Sequence, residues 1–229
     1  MTEEGTKNAL KYRHIAEILA CYVIFVFCNV LLNWVSKLWQ IDGLWVGIAI
    51  YFIIVCIISL YVVKVEKKHL SSIGLKSISI KEIFVAIILG IIMFIVQQIP
   101  LLMMGIDYKM YAVPPDWGFI VIMSVYCIFC VGFAEEMMMR GFILHKSMQI
   151  TNSKIIVVLF NCIIFYAIHW PPVRFVFGEV FNVALNTIIL CVYLFCSKKK
   201  SITPLIISHG VYDIFSAYLL PAFAYLLLG

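Results

Sequence analysis

An all-α, polytopic membrane bundle of about seven transmembrane helices is the fold this sequence predicts, on three observations. The composition is 64% hydrophobic and only 13% charged, with a mean hydropathy of +1.07, where a soluble domain is nearer half apolar and a quarter charged. The apolar runs are continuous rather than alternating, which selects helices over a barrel, the other structure that satisfies its backbone in lipid. The 17 Lys and Arg residues also segregate: successive segments on one side of the spans carry 3, 5, 3 and 3, and those on the other carry only Lys37, Lys109 and Arg174. That asymmetry marks the basic side, with the N-terminus, as cytoplasmic.

The spans fall at about 15–35, 44–63, 83–104, 118–139, 155–171, 180–196 and 203–228, close to the ~20 residues a ~30 Å hydrocarbon layer requires. Residues 1–14 form a short polar, cytoplasmic N-terminus. Its mixed charges, and the length of the span behind it, predict a retained anchor rather than a cleaved signal. Residues 15–229 read as a single membrane-embedded domain without a soluble domain, internal repeat or low-complexity linker. Gly43 and Gly47 form a G-x-x-x-G that hints at close helix packing. A basic stretch from Lys64 to Glu82, with the core "SSIGLKSISIKE", separates the second and third spans. All eight cysteines lie within spans; Cys127 and Cys130 form a C-x-x-C, read as apolar packing groups in preference to a redox or zinc site. The net charge of +5 is explained by topology and anionic lipid, and gives no support to nucleic-acid binding. The chain is expected in the cell membrane, multi-pass, against the lipid bilayer.

An ionisable side chain at membrane depth is costly and marks a functional site by default. Glu135, Glu136 and Arg140 lie on the fourth span, His169 ends the fifth, and His209 and Asp213 lie in the seventh. Asp42, Asp107, Asp116 and Glu179 fall in loops or at span ends, where solvation explains them. Glu136 and Arg140, four apart, share a helix face, so Arg140 neutralises and orients Glu136. Glu135 lies ~100° round the helix, outside that clamp. A carboxylate in a dry pocket can serve as a base for water; a helix-end ion cluster is an equal reading of the motif alone. His169 on its own reads as interfacial, and His209 with Asp213 as a local pair. Together, three helices bring polar groups that hydrocarbon rejects. From the polar turn "TNSK" at 151–154, Glu135 lies 16 residues back and His169 15 forward, so a helical hairpin brings them level.

These residues resemble the CPBP family of intramembrane proteases, which includes type II CAAX prenyl endopeptidases and Abi-type, bacteriocin-immunity proteins. The motifs are Glu-Glu-x-x-x-Arg (Glu135, Glu136, Arg140), Phe-x-x-x-His (Phe165, His169) and His-x-x-x-Asn/Asp (His209, Asp213), over roughly residues 117–215. The resemblance implies a hydrolase, an endopeptidase cutting membrane-associated peptide or protein substrates, with its catalytic groups on helices 4, 5 and 7. By position, Glu135 with His169 activates water, Glu136, Arg140 and Phe165 shape the site, and His209 with Asp213 stabilises the oxyanion. Asp213 departs from the commoner asparagine: ionised, it cannot donate a hydrogen bond, and orientation of His209 is its favoured role. The family has been described both as glutamate-dependent and as a metalloprotease. Glu135, His169 and His209 are the candidate ligands for zinc, although no H-E-x-x-H helix is present; a metal-free mechanism is favoured.

Other readings are weaker. No G-x-S-x-G elbow supports a serine enzyme, and a presenilin-type site needs a second membrane aspartate beside Asp213. A transporter lacks the paired broken helices. A non-catalytic bacteriocin-immunity or membrane interaction protein remains the alternative function. Glu135 and His169 count ~22–24 Å from their turn, against ~14 Å for His209 from Lys200. The 140–154 region is therefore expected to project from the membrane, with Arg140 and Lys146 near the cytoplasmic face.

Overall fold

Short polar residues start most of the helices. Asp42 accepts a hydrogen bond from the Leu44 amide at 2.8 Å, Asp116 from Phe119 at 3.0 Å, and Ser79 forms a reciprocal capping box with Glu82. Each such cap satisfies amides the first turn leaves open. Asp42 and Asp116, set aside as span-end residues, are thus helix caps. The computed structural model describes residues 3–105, 107–169 and 177–228, and Arg174 lies outside them. Among these residues there are seven continuous helices and no strand. They are α1 (Glu3–Trp39), α2 (Gly43–Val65), α3 (Ile80–Met103) and α4 (Trp117–Ile150), then α5 (Lys154–Ile168), α6 (Phe177–Cys196) and α7 (Thr203–Leu228).

Five of these, α1 to α4 and α7, are long and apolar enough to cross a membrane. Of the other two, α6 contains the expected 180–196 span, and α5 corrects the sequence reading. The fifth span, expected to reach 171, ends as a helix at Ile168 with His169 capping it, ahead of Pro171 and Pro172, residues that disfavour helix before them. At 15 residues, α5 is ~22 Å long, shorter than the hydrocarbon layer. Its C-terminal end therefore stops within the bundle. The polar flank before residue 15 is helical too, since α1 begins at Glu3.

The second half of α4 is the centre of the molecule. Every residue from Ala134 to Leu144 is buried, as is the first part of α7 from Pro204 to Val211, Ile207 excepted. A helix surrounded on all sides can hold polar side chains away from lipid. Within α4, two widened π-helical stretches, Cys127–Gly132 and Met137–Ile143, flank the four α-helical residues Phe133–Glu136. The Met139 carbonyl in the second stretch accepts a hydrogen bond from buried Asn161 of α5 at 3.0 Å.

Small residues let α7 lie against its neighbours backbone to backbone. A Cβ on Gly210 would stand 2.7 Å from the Ile128 Cα, one on Gly132 2.7 Å from the Ile206 carbonyl, and one on Gly90 2.5 Å from the Ser208 carbonyl. Ser208 also donates to the Ala86 carbonyl at 2.9 Å. Such close approach is how helices associate in lipid, where no hydrophobic drive separates one apolar surface from another. The G-x-x-x-G hint is met in part: Gly47 lies under the Tyr126 hydroxyl, whereas Gly43 meets nothing within 4 Å. The basic 64–82 stretch is docked rather than loose. The Gly74 carbonyl accepts from the Ile202 amide at 2.8 Å, and the Thr203 hydroxyl donates to the Lys76 carbonyl at 2.6 Å, which pins the start of α7.

Gly210→Ala should therefore lower stability in detergent by about 1–3 kcal/mol through overpacking, while Gly43→Ala should stay within about 0.5 kcal/mol of wild type. Thermal unfolding of both variants checks this; equal effects would contradict the backbone contact.

Candidate active site

The two adjacent glutamates have different surroundings. Glu136 is fully buried, and its Oε1 accepts from Arg140 Nη1 and from His209 Nδ1, each at 2.8 Å. Arg140 has 1% of its surface exposed, and its guanidinium lies 4.8 Å over the Phe165 ring. These contacts tie α4, α5 and α7 together through one charge cluster, which a low-dielectric interior strengthens. Arg140 and Lys146, expected near the cytoplasmic face, are both buried. Lys146 is buried and paired with Glu17 at 2.7 Å and with Glu66, so the two cations serve interior carboxylates.

Glu135 is held more loosely. Its Oε1 accepts from the Tyr51 hydroxyl of α2 at 3.0 Å. Its Oε2 is buried without a hydrogen-bond partner, and two imidazoles face it: His169 Nε2 at 4.0 Å and His209 Nε2 at 3.8 Å. The hairpin of α4 and α5 thus brings Glu135 and His169 level. His169 Nδ1 donates to the Phe165 carbonyl at 2.7 Å. This bond sets the ring orientation that turns Nε2 toward Glu135. Phe165 also packs edge-on against His169 at 4.7 Å and His209 at 6.0 Å. One residue therefore sets both rings and the guanidinium.

Asp213 is a quarter exposed, with Oδ2 3.6 Å from His209 Nε2, beyond hydrogen-bond reach. The partner that orients His209 is Glu136, at 2.8 Å, in place of the aspartate the sequence reading favoured. Glu135, Glu136, Arg140, Phe165, His169, His209 and Asp213 all converge on this site.

Sequence reasoning missed two members. Tyr51 was legible as a tyrosine in mid-span, away from the interfacial belt where tyrosines concentrate. Asn161 was legible as an amide in an apolar run, which must find a partner. The ion network of Lys146, Glu17 and Glu66 was also missed, although Glu17 lies inside the first span. The eight cysteines are free.

The donor chemistry of Glu135, His169 and His209 suits zinc, but the spacing does not. Zinc bonded to all three would hold the oxygen and nitrogens about 3.3 Å apart, against 3.8 and 4.0 Å here. Among the described residues no group of three His, Cys, Asp or Glu side chains closes on a metal position.

The family model described as type II CAAX prenyl endopeptidase Rce1-like matches residues 117–215. The match spans α4 to the middle of α7 and contains all three motifs. No curated protein and no solved structure matches the chain.

Removing Glu136 leaves Arg140 uncompensated in the interior, so Glu136→Ala should cost about 3–5 kcal/mol. Glu135→Gln, with no cation in hydrogen-bond contact, should cost under about 1 kcal/mol. Chemical unfolding in detergent distinguishes them, and comparable losses would contradict the division of roles.

Proposed function

From the match of residues 117–215 to the type II CAAX prenyl endopeptidase Rce1-like model, we propose that the chain is a member of the CPBP family of intramembrane proteases, an intramembrane endopeptidase hydrolysing peptide bonds of membrane-associated peptides or proteins. The observation that carries this reading is the unpartnered Glu135 Oε2 facing two histidine Nε2 atoms from other helices at 3.8 and 4.0 Å. Those gaps exceed a direct hydrogen bond and fit a water bonded to both sides.

In this mechanism the water donates one hydrogen to Glu135 Oε2 and the other to His169 Nε2, leaving an oxygen lone pair for the scissile carbonyl carbon. Glu135 takes the first proton as general base. His209, carrying both ring protons, keeps Nδ1–H on Glu136 and presents Nε2–H to the developing oxyanion. As the carbon–nitrogen bond breaks, Glu135 returns its proton to the leaving amine. Tyr51 holds the carboxylate by its other oxygen, so that Oε2 stays turned toward the histidines. A substrate must present a main-chain carbonyl in extended form. Prenylated C-termini, peptide pheromones and bacteriocins are the classes to try.

Purified protein in detergent should cleave members of a peptide library that includes prenylated C-termini. Glu135→Gln should lose about 10²–10⁴-fold in kcat/KM, the range for a general base. Tyr51→Phe should lose less than Glu135→Gln, since it removes one of the carboxylate's hydrogen bonds. A parallel arm with chelator tests zinc: activity retained supports the glutamate mechanism, and activity lost assigns a metal. Absence of cleavage by wild type, with toxin protection retained by Glu135→Ala, would sink the peptidase reading in favour of a binding protein.

A further inference from the structure

A second concave site lies on the basic side of the bundle, a cavity of about 370 Å³ between the docked 64–82 stretch, α4 and the turn before α7. Lys76, Lys154 and Lys200 line it, and so does Arg140. None of its lining residues is acidic. The lysines are turned to neutral partners: Lys76 donates to the Lys199 carbonyl at 2.6 Å, Lys200 to the Phe195 carbonyl, and Lys154 lies 5.5 Å over the Phe195 ring. Their charge is therefore uncompensated among the described residues. The contrast with Lys146, which has two carboxylates, is direct.

Two further observations point to an anion. Arg140 uses Nη1 for Glu136, while Nε and Nη2 make no hydrogen bond. Those two nitrogens form the side-on edge that binds carboxylate or phosphate in bidentate fashion. The Ser72 hydroxyl, on the cavity wall, is likewise buried and unpartnered. Three lysines without carboxylate partners and a hydroxyl suit a group with several charged oxygens. Leu194 and Met148 make part of the wall apolar, which a free inorganic anion does not need and a glycerolipid does. Basic pockets between helices at the cytoplasmic side are suited to anionic headgroups.

We propose that this cavity binds a phosphate group, carried there by the headgroup of an anionic phospholipid. The binding claim does not depend on the peptidase reading and is tested without it. Full-length protein in detergent is titrated with dioctanoyl phosphatidylglycerol, dioctanoyl phosphatidylcholine or inorganic phosphate while thermal unfolding is followed. Phosphatidylglycerol should raise the unfolding temperature saturably, and phosphatidylcholine, whose choline cation opposes the lysines, should do so far less. The double variant Lys154→Gln/Lys200→Gln should bind phosphatidylglycerol about tenfold more weakly. Lys76→Gln serves as a second variant should the double one fail to fold. Inorganic phosphate matching phosphatidylglycerol at equal concentration would support the phosphate site and assign free phosphate as its source. Equal response to the two lipids, or undiminished binding by the variants, would overturn the proposal. So would a shift produced by a peptide with a free C-terminal carboxylate where neither phosphate ligand acts.

Discussion

The link between Glu136, Arg140 and His209 is the interaction on which the remaining architecture rests. A carboxylate inside a bundle surrounded by lipid has no water to solvate it, so its charge must be met by donors from the protein. Glu136 is met by Arg140 one turn away and by His209 from α7, both at 2.8 Å. The first contact is local to α4, while the second requires α7 to lie in one register against it. The cation is then closed on its other side by the Phe165 ring, which draws in α5. Three helices are fixed by a charge that apolar packing alone would leave free to slide.

That cluster can form only because the surrounding packing allows it. Gly90, Gly132 and Gly210 let α7 approach α3 and α4 at backbone distance, which brings His209 within reach of α4. The 15-residue length of α5 matters equally. A helix crossing the full bilayer would carry its C-terminal residue to the interface, whereas α5 stops short and leaves His169 beside Glu135. The widened turns of α4 on either side of Phe133–Glu136 are of the kind that recurs at functional sites, and Asn161 satisfies a carbonyl within one of them.

Much of this was legible in the sequence, for identifiable reasons. Continuous apolar runs and the segregation of Lys and Arg give the helical bundle and its basic face. Charged residues at four-residue spacing give the Glu136–Arg140 clamp, and counting from the 151–154 turn gives the Glu135–His169 pairing. Contacts between non-adjacent segments were not legible. Nothing in the spacing of α2 says that Tyr51 meets Glu135, 84 residues away, or that Lys146 reaches back to Glu17 and Glu66. Periodicity favoured Asp213 as the partner of His209 because the two share a turn. Tertiary packing brought a fully buried carboxylate closer, and the shorter contact belongs to Glu136.

The pair of adjacent glutamates shows how neighbouring positions on one helix acquire different chemistry. Residues ~100° apart on a helix face different neighbours, and here the neighbours differ in charge. Glu136 points to a guanidinium and an imidazole, both hydrogen-bonded to its Oε1 at 2.8 Å. Glu135 points to a tyrosine hydroxyl on one oxygen and, at longer range, to two imidazoles on the other. A carboxylate hydrogen-bonded to a guanidinium is favoured in its charged form, which makes it the weaker base. An oxygen with histidines near it but not bonded to it retains the capacity to take a proton from whatever lies between them. The division of labour between the two residues therefore comes from what α2, α5 and α7 present to α4, and the proposed chemistry falls to Glu135 because Glu136 is already engaged in holding the bundle together.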